Sequence, residues 1–177
     1  MLKLTFITLL AFLMPSLASA QDNLPALETV SYVELDRYLG DWYEIAAIPQ
    51  RFQRDCVHSR AYYQLNEDDT IKVTNICITD PATGSFKDIE GKAWVDDLET
   101  NAKLKVQFFW PFKGDYWIIE LADDYAYAVV GAPNRDYLWI LSRTPQMEDG
   151  LYNELMVQIK EQHLYDVSLI VKTQVGN

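Results

Sequence analysis

Few side chains in this 177-residue sequence could carry acid–base, nucleophilic or metal chemistry. Its two histidines, His58 and His163, stand far apart. His58 falls at the start of a strand-like segment near a rim. His163 ends a helix-like one, where a cation suits the helix dipole. No Gly-Xaa-Ser-Xaa-Gly elbow, phosphate loop or paired-histidine metal motif occurs, and nothing places a Ser/His/Asp triad. Cys56 and Cys77 are not spaced as a Cys-Xaa-Xaa-Cys redox pair, and two cysteines cannot form a four-ligand zinc set. In an exported chain an even count reads as a disulfide; two buried free thiols are the alternative. The expectation is no catalytic residue, no metal and no cofactor.

A different pair is more informative. Trp42 lies in Gly40-Asp41-Trp42-Tyr43-Glu44-Ile45-Ala46, and Arg143 ends Tyr137-Leu138-Trp139-Ile140-Leu141-Ser142-Arg143. An arginine on an indole face gains a cation–π contact, and its donors can bind loop carbonyls. Framing a long β-like stretch, the pair points to a closed barrel with a plugged floor. Arg143 as a grip on an anionic ligand is the alternative.

The elements that must position these residues follow from periodicity. Val33 to Leu39 reads as a helical turn. Period-two segments rich in Val, Ile, Tyr, Phe and Trp run over 42–48, 57–65, 70–78, 87–95, 103–110, 116–121, 125–131 and 137–142. Turn residues separate them, among them Asp80-Pro81-Ala82-Thr83-Gly84 and Lys113-Gly114-Asp115. Leu151, Leu155 and Ile159 then recur every four residues, predicting one amphipathic helix over 148–163. Val167 to Val171 reads as a closing strand. The fold class is all-β: an eight-stranded antiparallel up-and-down barrel with one C-terminal helix packed outside. A hairpin centred on Glu67–Asp69 brings Cys56 within a few residues of Cys77 on adjacent strands.

Residues 1–20 read as a secretory signal peptide: Lys3, an apolar run from Leu4 to Met14, then Ala18-Ser19-Ala20. The apolar run is too short to span a bilayer. Cleavage after Ala20 leaves 21–177 as one domain, beginning in a loose arm to Leu27. No cysteine lies at that site, so no covalent lipid anchor is expected. The full chain carries 15 Lys and Arg against 26 Asp and Glu, a net charge of −11. Nucleic acid is therefore excluded as a partner, because phosphate contacts need clustered cations.

The sequence resembles the lipocalins, and more narrowly the bacterial group related to apolipoprotein D and plant temperature-induced lipocalins. Gly40-Asp41-Trp42 matches the family's Gly-Xaa-Trp motif. Asp124-Tyr125 matches its second motif, with Asp123 where threonine is usual. Arg143 matches the third. Glu90-Gly91-Lys92-Ala93, Phe108-Phe109-Trp110-Pro111-Phe112 and Arg135 to Pro145 are close to the bacterial group's wording. The resemblance implies that Gly40, Trp42, Asp124, Tyr125 and Arg143 are structural. It also implies a periplasmic or secreted protein that binds small lipids such as fatty acids or lysophospholipids. A lipid-modifying enzyme and a protein-interaction module are the alternatives. A monomer or weak homodimer, with no more than transient membrane contact, is expected.

Strand direction then places the mouth opposite Trp42. Its rim receives Arg51, Phe52, Arg54, Trp110, Phe112, Lys113, Tyr116 and Arg135, which suit an amphiphile with an anionic head. Counting by two from Trp42 assigns Glu44 and Ala46 to the cavity. Ala61, Tyr63, Ala93, Val106, Phe108, Ile118, Ala128 and Trp139 join them. Glu44 either bonds a ligand's polar group or pairs with Tyr, Arg or backbone donors to stabilise the floor.

Overall fold

The computed structural model describes residues 24–53 and 55–173. The expected signal peptide at 1–20, its cleavage site and Arg54 lie outside the described residues, as does the side chain of Phe52. A short helix α1 (Leu35–Tyr38) precedes strand β1 (Gly40–Ala47). Seven strands follow: β2 (His58–Leu65), β3 (Ile71–Asp80), β4 (Ser85–Val95), β5 (Lys103–Phe109), β6 (Phe112–Leu121), β7 (Tyr127–Gly131) and β8 (Leu138–Ser142). Helix α2 (Asp149–Glu161) and a two-residue strand β9 (Val171–Lys172) come after them among the described residues.

Each of β1 to β8 pairs antiparallel with its sequence neighbour, and β1 pairs with both β8 and β2. The sheet therefore closes into an eight-stranded barrel, which removes its edges. The strand β1 divides its second edge. Gly40 to Tyr43 face β2, whereas Ala46 and Ala47 face Lys172 and Val171 of β9. The expected closing strand at 167–171 is thus a helical turn, Val167–Leu169, followed by β9. Asp166 caps that turn by accepting from the Ser168 N–H.

Two bulges decide which side chains face inward. Register shifts occur between Glu44 and Ala46 in β1 and between Ile118 and Glu120 in β6. A bulge turns two consecutive residues to one face and resets the alternation beyond it. Ile45 and Ala46 both pack outside, with Ile140, Leu155 and Ile159, while Ala47 turns inward opposite Trp139. Ala46 is therefore not a cavity residue. Counting by two fails at the residue where the strand bulges.

The helix lies against this outer cluster as its stripe predicts. Leu155 and Ile159 are fully buried, each contributing about 1.5–3 kcal/mol of apolar burial. Val157, one step off the stripe, faces solvent. His163 is buried beneath the helix end, and its Nε2 lies 2.7 Å from Glu120 Oε1. The N-terminal arm is held from Pro25 onward. Arg135 donates to the carbonyls of Pro25 and His163, and Leu27 packs into the outer cluster.

The strand β6 begins earlier than turn chemistry predicts. The connection is Trp110-Pro111, with Phe109 opposite Phe112. Gly114, expected in a turn, lies inside the strand opposite Val106. The disulfide joins Cys56 to Cys77, with Cα atoms 5.1 Å apart.

Candidate ligand-binding lumen

One end of the barrel is sealed. Trp42 is fully buried, and its Nε1–H donates to the Tyr38 carbonyl at 2.8 Å. The Arg143 guanidinium lies 3.8 Å from the centre of the Trp42 ring system. Its Nη1 donates to the Asp41 carbonyl at 2.7 Å and its Nη2 to the Arg37 carbonyl at 2.6 Å. With its donors satisfied by backbone, Arg143 works as a clamp on the floor. Gly40 has a φ of 91°, which disfavours a side chain, and a Cβ there would sit 3.6 Å from Arg143. Asp124 accepts from the Ala126 N–H, shaping the turn that carries Tyr125. The Tyr125 hydroxyl accepts from the Glu34 N–H, and Arg37 stacks on its ring.

Above the floor, strand register assigns the inner wall. Ala61, Tyr63, Ala93, Ile118 and Ala128 belong to the inner cluster, with Val106, Phe108, Tyr116 and Trp139 packed against it. Eight residues expected in the cavity are thus brought together, and Tyr116, expected at the rim, joins them. Ala61, Ala93 and Ala128 place small side chains between the larger rings on this wall. Val106, Phe108, Tyr116 and Trp139 remain partly accessible. Ser59 shares the face of Ala61 on β2 by alternation, and the register adds Asn75 opposite Ala61 and Ile89 opposite Asn75. The inward direction of Asn75 and Ile89 follows from pairing across strands, which no single-strand pattern contains. Gly91 lets Phe108 approach, since a Cβ there would meet its ring at 2.6 Å.

Two residues expected at the rim sit elsewhere. Tyr116 points into the barrel opposite Leu104, with its hydroxyl 2.8 Å from that of Tyr38 in α1. Arg135 is tied to the two carbonyls named above. Lys113 leans over the outer face of Trp94, 4.7 Å from its ring centre. The aromatic rim is real: Trp110 is 86% exposed and Phe112 76%, with Phe86 and Phe109 also exposed. Arg51 is exposed in a short helical turn between β1 and β2.

Glu44 is the one inward carboxylate among the residues expected in the cavity. Its Oε2 accepts from Gln53 Nε2 and its Oε1 from Thr173 Oγ1, both at 2.8 Å. It therefore joins the mouth turn to the chain after β9, and does not stabilise the floor. Burial raises its pKa, and the two hydrogen bonds oppose that shift. Protonation accordingly favours the folded state. That contribution is full below the ordinary carboxylate range and is lost as pH rises through the raised value. Relative to Glu44→Gln, the native protein is expected to lose stability between pH 4 and pH 7. Urea midpoints of both proteins at the two pH values check this. A constant difference would contradict it.

Among the described residues, no group of three or more His, Cys, Asp or Glu could hold a metal ion. A sealed floor, a mixed small-and-aromatic inner wall and an outer helix match known proteins. The lipocalin-like domain family matches residues 33–175. The chain belongs to the lipocalin family. This lipocalin is 43% identical over 156 residues to temperature-induced lipocalin-1 of Arabidopsis thaliana, covering 83% of this chain and 82% of that one. It is 41% identical over 145 residues to the outer membrane lipoprotein Blc of Escherichia coli K12, covering 82% and 81%. Its fold superposes on insecticyanin from the tobacco hornworm Manduca sexta with a TM-score of 0.68, at 20% identity and 86% coverage of both. Lipocalins are generally binding or transport proteins, and the family implies a small hydrophobic ligand. The disulfide points to a site outside the reducing cytoplasm.

Proposed function

We propose that this lipocalin carries or stores a small amphiphilic lipid, such as a fatty acid or lysophospholipid, in its barrel within the cell envelope. The observation that carries the reading is the accessible inner wall of Val106, Phe108, Tyr116 and Trp139 above a sealed floor. An acyl chain laid on it gains about 0.8 kcal/mol per buried methylene, so a dozen methylenes give micromolar binding or better after association costs. The exposed Phe86, Phe109, Trp110 and Phe112 give the mouth an apolar lip for brief contact with a bilayer. The mature protein works as a monomer or weak homodimer, released after cleavage at Ala20 without a lipid anchor.

Trp139 reports on the lumen. Titration with lysophosphatidylcholine is expected to quench tryptophan fluorescence, saturating at one equivalent with micromolar or tighter affinity. Native mass spectra of the purified protein should show acyl lipid that added fatty acid displaces. Absence of both bound lipid and quenching would reject the carrier reading. Turnover of the lysolipid would replace it with an enzyme.

A further inference from the structure

Three tyrosine hydroxyls meet at the base of the lumen. Tyr116 Oη lies 2.8 Å from Tyr38 Oη and 3.0 Å from Tyr63 Oη. The residues come from β6, α1 and β2, so tertiary packing alone assembles them. The rings lock one another: Tyr38 stacks on Tyr63 at 5.9 Å, and Tyr63 meets Tyr116 edge-on at 6.1 Å. Burial pushes the Tyr63 hydroxyl up to about 12 and those of Tyr38 and Tyr116 well above the ordinary value. All three are neutral hydroxyls in physiological conditions.

The proton count is uneven. Three hydroxyls bring three protons, and two oxygen–oxygen contacts use two of them. Among the described residues no further acceptor bonds this set. One O–H is left over on a set that is only partly accessible, free to donate to a molecule entering the lumen. An oxygen on a bound molecule would satisfy it. A neutral oxygen suits this place best. The nearby guanidinium of Arg143 lies across Trp42 and directs its donors to the Asp41 and Arg37 carbonyls. A carboxylate at this depth would be desolvated and would feel that charge without a direct hydrogen-bonded ion pair.

We propose that the base of the lumen is a polar subsite in which Tyr38, Tyr63 and Tyr116 hold a carbonyl or hydroxyl oxygen at the leading end of an otherwise apolar ligand. The proposal rests on the lumen being the ligand site and narrows the ligand class. The lipid then carries oxygen at its buried end as well as at the mouth.

The test compares hexadecanoic acid with 16-hydroxyhexadecanoic acid by tryptophan quenching on the full chain. An apolar base disfavours the added hydroxyl, because it must be desolvated without a partner. A tyrosine subsite favours it by about threefold to tenfold, one net hydrogen bond. The triple variant Tyr38→Phe, Tyr63→Phe and Tyr116→Phe keeps the rings and removes the whole hydroxyl set. It is expected to reverse the preference while still binding hexadecanoic acid. Preference of the native protein for hexadecanoic acid overturns the subsite and leaves the carrier reading standing. Failure to bind either acid overturns both. If the triple variant does not fold, the order of affinities in the native protein decides alone.

Discussion

Trp42→Ala is expected to lower the free energy of unfolding by about 3–5 kcal/mol, a large part of the stability of a domain this size. The fully buried indole fills the floor, donates to the Tyr38 carbonyl and supports the Arg143 guanidinium. Arg143→Ala is expected to cost about 2–4 kcal/mol, because it strips donors from the Asp41 and Arg37 carbonyls. The two losses should not add, since each residue holds the other in place. A double-mutant cycle by urea denaturation should give a coupling of about 1 kcal/mol or more. Additive losses would mean that the stack contributes nothing. Lipid affinity at the mouth should change less than stability in Arg143→Ala. A selective loss of binding to anionic lipid, with stability intact, would instead make Arg143 a ligand group.

Reducing or replacing the Cys56–Cys77 disulfide is expected to cost about 3 kcal/mol, from releasing a loop with a sequence separation of 21. Cys77 lies on the inner face, opposite Ser59 and Lys87. The bond therefore ties the chain just before β2 to the mouth end of β3. Thermal unfolding of the native protein and of Cys56→Ser, Cys77→Ser, with and without dithiothreitol, measures the loss. The double variant should melt several degrees lower and be indifferent to the reductant. An unchanged midpoint in the native protein under full reduction would refute this.

Most of the barrel was legible because its signals are local. Period-two segments and acidic turns located all eight strands, and the Leu155–Ile159 stripe located the helix. Trp42 and Arg143 marked the floor through their types and setting. The errors share a cause. Ala46 was assigned inward because a bulge leaves no mark in alternation. Tyr116 was placed at the rim because Lys113-Gly114-Asp115 reads as a turn, although Trp110-Pro111 makes it. Arg135 looked free because its acceptors, Pro25 and His163, are distant in sequence. Glu44 lost its expected place in the floor to Gln53 and Thr173, a partnership that no neighbouring residue announces. The hydroxyl set of Tyr38, Tyr63 and Tyr116 was invisible for the same reason.

The divided edge of β1 changes how the mouth can respond to its cargo. A complete ring widens only by breaking ladder bonds along a whole strand. Near the floor, β1 and β2 form such a ring through Gly40 to Tyr43. Toward the mouth β1 leaves β2 and pairs instead with the two residues of β9, with Gln53 and Thr173 bonded to Glu44. The barrel is therefore a split ring on a rigid base. Its β1–β2 ladder is continuous where the floor is sealed and interrupted toward the mouth, where Glu44 ties Gln53 to Thr173.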